Sequence, residues 1–515
     1  MKKYSKGLVV LLLITMICTF TACGNEDSGQ ETGSDTLVVA LSGEVMQLDP
    51  HIPESSSQGT VNRSLYDPLY YYTSEGAFEP ALATDYKVSE DGCEWTFTLR
   101  EGVKFHSGKE MTSEDVVATF QRIIDKADGI TVTDFDGLIG AEAVDTYTVK
   151  LITDGPIGNF MNLLAHSTGV ILNSDAIKEH GTELGTYIDG TGPYKLADFE
   201  AGDHIYLEAN EDYWNEVPAI KSVQLINVKE SSTRLNMILS GQAQFAVEIA
   251  AQDVEQVENS DVAKVRYDAT NRVAHIGLNC NYGPFKDVKV REALNYAVDR
   301  DLITESIMGM SATAIDSVVA DNVLGYVPGG YSYDIEKAKK LLAEAGYPDG
   351  FEFTLWTPDG RYLNDKDTCL TVASQLAEIG VIANVQTVDW ATFLEKIRTD
   401  KDKTEMQAYF MGWECTSREA GYTLKTLFLS SVQAPEGWNT MFYSNPDVDA
   451  LYEKAIRTTD LDEREAILKE AITICNRDAA WIPCYVYQQI SAEQNGLEGI
   501  EILPNQEIRF GKAHF

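Results

Sequence analysis

The chain has 515 residues, beyond the size at which one hydrophobic core stops growing, and 44% are hydrophobic against 23% charged; two or three globular units are expected. A formal charge of −39 excludes nucleic acid as a partner, because phosphate binding needs a basic patch, and suits solubility at an exposed surface. In chain order the first signal is Lys2, Lys3 and Lys6, then the apolar run Leu8 to Ile17, then Phe20, Thr21, Ala22 and Cys23. The run is too short to span a bilayer permanently, and a small residue before a cysteine marks a lipoprotein cut site. Residues 1–22 are therefore expected to leave as a signal peptide and Cys23 to carry lipid. Gly24 to Asp35 is polar, acidic, Gly or Ser throughout, which predicts a flexible tether reaching roughly 40 Å.

Beyond the tether, short alternating strands mix with capped amphipathic helices, and no solenoid-length repeat is visible, which predicts an α/β or α+β class. Leu37 to Leu41 reads as the first strand, and Trp95, Phe97 and Leu99 alternate after an Asp91-Gly92 turn as a half-buried one. Thr112, with Asp115 three residues on, should cap a helix that buries Val116, Val117, Phe120, Ile123 and Ile124. A strand follows at about Thr146 to Ile152. Asp287 precedes a helix with the stripe Val290, Ala293, Leu294, Ala297, Val298 and Leu302. Asp334 caps another, stopped by Gly346, and Asn445-Pro446 opens a third. Between them, Phe351 to Trp356, Val381 to Val388 and Met406 to Trp413 have the spacing of a sheet covered by helices.

Six cysteines follow Cys23: Cys93, Cys280, Cys369, Cys415, Cys475 and Cys484. They form no C-x-x-C pair, so buried free thiols and one or two disulfides, such as Cys475 with Cys484, are both open. No G-x-S-x-G, S-x-x-K, H-E-x-x-H or Walker A pattern occurs, and His51, His106, His166, His180, His204, His275 and His514 are scattered. A secreted hydrolase is the alternative from another class, and nothing local supports it. No cofactor and no metal site is expected, and energy for any transport must come from partners.

Ordered segments along the chain, from Leu48-Asp49-Pro50 and Tyr66-Asp67-Pro68-Leu69 to Trp481-Ile482-Pro483, resemble the family 5 solute-binding proteins of ABC importers, which serve peptides, glutathione, nickel chelates and some oligosaccharides. They include Leu99-Arg100-Glu101-Gly102-Val103-Lys104-Phe105-His106. Gly190-Thr191-Gly192-Pro193-Tyr194, Tyr213-Trp214, Ala297-Val298-Asp299, Glu344-Ala345-Gly346, Tyr443-Ser444-Asn445-Pro446 and Trp481-Ile482-Pro483 follow. The resemblance implies a two-lobed clamp of the periplasmic-binding-protein kind, α/β, with an extra subdomain inserted in the first lobe. The first lobe is expected at 36–48, 196–274 and 488–515, the inserted subdomain at 49–195 and the second lobe at 275–487. It further implies a monomer on the outer face of the cell membrane, delivering a peptide-like solute to permease and ATPase subunits.

The same resemblance points to ligand-binding residues. Trp413, in Gly412-Trp413, lies in the cleft of such proteins, and the peptide binders carry an aspartate three residues later where this chain has Thr416. The spacing here looks more like the glutathione-binding branch, with an acid at Glu419 and with Arg418 in place of a small residue. Trp390 matches an aromatic near the cleft, and Ser42 and Gly43 match a segment whose backbone meets ligand. Arg361 and Tyr362 follow the Pro358-Asp359-Gly360 turn, on a loop of the kind where binding groups gather. A zwitterionic peptide would then set its amine on Glu419 and its carboxylate on Arg361 or Arg418. A nickel chelate or an oligosaccharide, the latter on Trp390, Trp413 and Trp438, is the alternative ligand.

Overall fold

The strand Thr36–Leu41 is buried on both faces and pairs in parallel with Ser222–Asn227 and with Phe245–Ala246. The computed structural model that shows this describes residues 36–73, 77–132 and 134–515; the signal segment, Cys23 and the tether lie outside the described residues. From that strand an eleven-stranded mixed sheet runs outward. On one side lie Ser222–Asn227, His204–Ala209 and Tyr194–Glu200, and on the other Phe245–Ala246 leads to two long strands, Trp481–Gln494 and Ala263–Leu278. Beyond those come Ala408–Glu414, Glu352–Pro358 and Ile382–Val388, the last two paired in parallel.

The two long strands carry the sheet from one half of the molecule to the other. They pair antiparallel from Ala263↔Gln494 to Ala269↔Gln488, lose register, and resume at Val273↔Val486. A bulge of this kind bends and twists a strand pair. The halves on either side of it have separate apolar cores. Leu37, Val39, Val61, Leu65, Val223, Phe245 and Phe510 centre one, and Ala40, Ile238 and Ile490 a second on the opposite face of the first half. In the other half, Phe353, Leu355, Leu294 and Phe410 form one core, and Phe428, Met441, Leu468 and Trp481 another.

A fifth core, around Trp95, Phe97, Phe120 and Phe160, belongs to residues 69–171 and backs a four-stranded antiparallel sheet. Its flanks do not share it. Val61, Leu65 and Tyr66 on one side and Val170, Leu172 and Tyr194 on the other pack into the first-half core, because the helix Ser56–Leu65 lies on the large sheet, against Tyr194–Glu200.

Local signals account for most helix ends. Thr112 N–H donates to the Asp115 carboxylate at 2.9 Å at the head of Ser113–Ile124. Asp287, Asp334 and Asn445 cap Val288–Tyr296, Ile335–Glu344 and Pro446–Arg457 through backbone N–H groups. The stripe expected to end at Leu302 stops early. The first helix ends at Tyr296, Asp299 caps a new one at Arg300–Ile303, and the resulting change of phase leaves Leu302 46% exposed. All six described cysteines are free thiols, so the disulfide option, Cys475 with Cys484 included, is not realised among them. No helix among the described residues is long and apolar enough to cross a membrane.

Candidate functional site

Beside the strand crossing, a polar cavity of about 320 Å³ opens between the two halves. The first half supplies Ser55 and Ser56 at the head of the helix Ser56–Leu65, Asn62 nearly two turns further, His166 and Ser167, and the tail residues Asn505 to Glu507. The second half supplies Glu414, at the end of Ala408–Glu414, and Thr416; Arg272 comes from the crossing itself. Three of its four charged side chains are paired, Glu54 being the exception among the described residues. Arg272 is ion-paired with Glu414, and Glu507 with Arg63 and the Ser167 hydroxyl. Burial pushes the Glu507 carboxyl up, but Arg63 and Ser167 more than offset it and hold it at about 2.

Of the residues singled out in the sequence, Thr416 lines this cavity and is exposed. Arg418 shares with Thr416 a smaller cavity alongside, where its guanidinium lies 4.2 Å over the Tyr72 ring and Nη1 donates to Thr73 O at 2.8 Å. Burial lowers it to about 10. Gly43 meets the head of the same helix from below: a Cβ there would sit 2.8 Å from Ser57 Oγ, and Ser42 precedes it at the end of the first strand. Close approach of this kind is what glycine permits.

Arg361, Tyr362 and Trp390 form a group of their own in the second half. The Arg361 guanidinium lies 5.0 Å from the Trp390 ring and 5.4 Å from Tyr362, and it has no ion pair among the described residues. Tyr362 donates to Gly412 O at 3.3 Å and stacks on Tyr487 of the crossing strand, next to Arg272. Trp413 stacks on Tyr422, 5.9 Å between centroids, and packs on the second-half core.

Glu419 is placed differently from the sequence expectation. Its side chain is buried, does not line the cavity, and is ion-paired with Arg464 of the helix Leu461–Asp478. A ligand amine on Glu419 would have to strip that partner from a buried arginine. The reason lies at Arg418, whose φ of +58° sends adjacent side chains in opposite directions, Arg418 toward the first half and Glu419 into the second.

Arg272, Glu414, Asn62 and Asn505 carry no motif; only the folding of distant segments around the strand crossing brings them together. As to metals, Glu200, Asp203 and His204 are exposed or half-buried, with donor atoms within 4.8 Å of one another. The His204 nitrogens already face Asp203 at 2.7 Å and Asp198 at 3.1 Å, and nothing there points to an ion.

The model of bacterial extracellular solute-binding proteins, family 5, matches residues 77–435. Over 99% of this chain and 98% of the relative's length, it is 31% identical to the glutathione-binding protein GsiB of Escherichia coli K12. The chain belongs to the family 5 extracellular solute-binding proteins. Among solved structures, HbpA2 from Haemophilus parasuis superposes with a TM-score of 0.84 at 27% identity, covering 93% of this chain and 99% of that one. The periplasmic binding protein DppA from Helicobacter pylori, in complex with the peptide STSA, superposes at 0.71 with 26% identity, covering 93% and 98%. These relatives bind solutes and are not enzymes, and the fold of this family 5 protein is the two-lobed α/β clamp of that group.

Proposed function

We propose that this protein captures a small peptide-like solute between its lobes and hands it to the permease and ATPase of an ABC importer. The lobes are 36–48, 196–274 and 488–515 against 275–487, with 49–195 inserted in the first. The observation that carries the reading is the cavity at the strand crossing, walled from both halves and lined mostly by hydrogen-bonding side chains with no Phe, Tyr or Trp among them. That lining suits a peptide better than an oligosaccharide, which leans on stacked rings. The relatives named for glutathione and crystallised with a peptide support it.

A zwitterion needs one cation and one anion on the walls. Arg361 lies outside the cavity lining, but it is exposed, held against Trp390 and free of acid partners among the described residues, which suits the carboxylate of a ligand that extends past the cavity into the second half. Glu414 lines the cavity and shares Arg272, so it is better placed than Glu419 for the amine. Calorimetry of the purified chain with glutathione and trialanine, each with its N-acetyl form, tests this. Binding of the free-amine forms is expected, with Arg361→Ala weakening it by about 2–5 kcal/mol. A chain that binds neither peptide but binds oligosaccharides overturns the reading. A lipid on Cys23 holds the protein at the outer face of the membrane in this proposal. Detergent partitioning of wild type and Cys23→Ala checks it, the variant alone being expected in the aqueous phase.

A further inference from the structure

Asn62 and Asn505 share a property that the fold goes out of its way to create. Asn62 is 2% exposed and Asn505 8%, and both line the cavity. Neither amide oxygen has a partner, and neither amide nitrogen donates to any group among the described residues. Other asparagines whose amide oxygen is unpaired differ: Asn227, Asn271 and Asn322 are each anchored by Nδ2, to Gly202, Cys415 and Thr270 carbonyls. A buried amide oxygen with no donor carries a desolvation penalty that native proteins rarely accept without a reason, and here the two amide nitrogens stay accessible in the cavity.

The scaffold around the pair is specific. Arg63, next to Asn62, is ion-paired with Glu507, two residues after Asn505, with side chains only 6% and 4% exposed. Ile508 N–H donates to Thr60 Oγ1 at 3.0 Å, which binds the tail to the same helix. Between these fastenings, Gln506 N–H closes a turn onto Leu503 O at 2.7 Å with Gln506 at φ +66°, a conformation that side-chain-bearing residues seldom adopt. The turn sets Asn505 on the cavity wall that Asn62 also lines. The acid between the two asparagine-bearing segments, Glu507, is neutralised by Arg63, and Glu54 stands at the other end of the helix Ser56–Leu65 from Asn62.

We infer that Asn62 and Asn505 read the amide backbone of the ligand, as specificity-determining groups on the first-lobe wall. A carboxamide presents N–H and C=O together, the complement of a secondary amide, and a χ2 rotation offers either end first. The ligand's amine has its proposed partner, Glu414, on the opposite wall. The inference rests on the peptide reading above and adds the part of the ligand that this wall recognises.

The test uses the full chain, with trialanine and its analogue bearing an ester in place of the second amide as probes. Wild type is expected to prefer the amide. Asn62→Leu, and Asn505→Asp, which keeps turn chemistry but removes the N–H donors, should each bind trialanine about ten-fold more weakly or worse. Each should also lose most of the amide-over-ester preference, while the ligand-free melting temperature of Asn62→Leu stays level or rises because an unpaired buried amide is gone. Variants that bind within two-fold of wild type, or that keep its amide preference, overturn the inference alone. So does weakened binding accompanied by a lower ligand-free melting temperature in both variants, which marks a structural role. A wild type that binds neither probe overturns the peptide reading and this inference together.

Discussion

Arg418 shows how one backbone angle divides labour between neighbours. With φ at +58°, its side chain crosses to Tyr72 and Thr73 of the first half while Glu419 turns inward to Arg464. Burial holds the Glu419 carboxyl above its usual range, and Arg464 offsets only part of that. Neutralising one member of a buried pair leaves the other charge uncompensated, so Glu419→Gln is expected to cost about 3–5 kcal/mol of stability in urea unfolding. Trialanine affinity in the still-folded variant should change little, since Glu419 does not line the cavity. A variant as stable as wild type that no longer binds would return Glu419 to the amine-holding role. The resemblance singled out this loop because the Gly412-Trp413 spacing is local, and Thr416 does face the cavity. It could not tell which way Glu419 points. Asn62, Arg272 and Asn505 were invisible in the sequence because an unmarked asparagine or arginine acquires a role only from what the fold sets beside it.

Elements were legible wherever their cause was local. The alternation at Glu94–Leu99 and the caps at Thr112, Asp287, Asp334 and Asn445 reappear in the structure because neighbouring residues suffice to set them. The two long strands were not legible, since each changes surroundings along its length: Ala263–Leu278 is largely half-buried at its start and fully buried from Val273 on, and so shows no single period. Where they cross, His275 lies flat on Trp481 at 3.4 Å between centroids, its Nδ1 facing Val273 O. Burial lowers His275 to about 3, and likewise His51 to about 3, with Arg122 contributing, and His106 to about 4. Their unfolded value is 6.5. Between these limits the unfolded chain takes up protons that the folded chain refuses. The stability these groups confer is thus complete above about pH 6.5 and declines as the pH falls toward 4 and then 3. Each histidine contributes up to about 1.4 kcal/mol per pH unit. Carboxyls raised by burial, such as Asp67, work in the opposite direction, so the variant His275→Phe isolates the effect. It keeps a ring on Trp481 and should lose less stability than wild type between pH 6.5 and 4.5 in urea titrations. Equal losses in the two proteins would show that His275 does not resist protonation.

At the scale of the whole molecule, the fold class and the clamp were readable from ordered motifs spread along the chain, whereas the conformation of the clamp was not. A ligand can drive closure only through a difference in affinity between open and closed forms. Here the first-lobe wall carries Asn62 and Asn505 and the second-lobe wall Glu414 and Thr416, so one peptide touches both only when the walls approach. Some contacts already bridge the halves: Asn162 Nδ2 donates to Ser417 O at 3.0 Å, and Gly158 N–H to Ile456 O at 2.8 Å. They tie the inserted region to the second half without filling the cavity. Small-angle scattering therefore should record a smaller radius of gyration at saturating trialanine, moving toward the roughly 23 Å of a fully compact chain of this length. A rise in melting temperature would follow from binding of any kind and says nothing about movement. A radius unchanged at saturation, with binding verified by calorimetry on the same sample, would mean that the solute enters a cleft already closed to its final width.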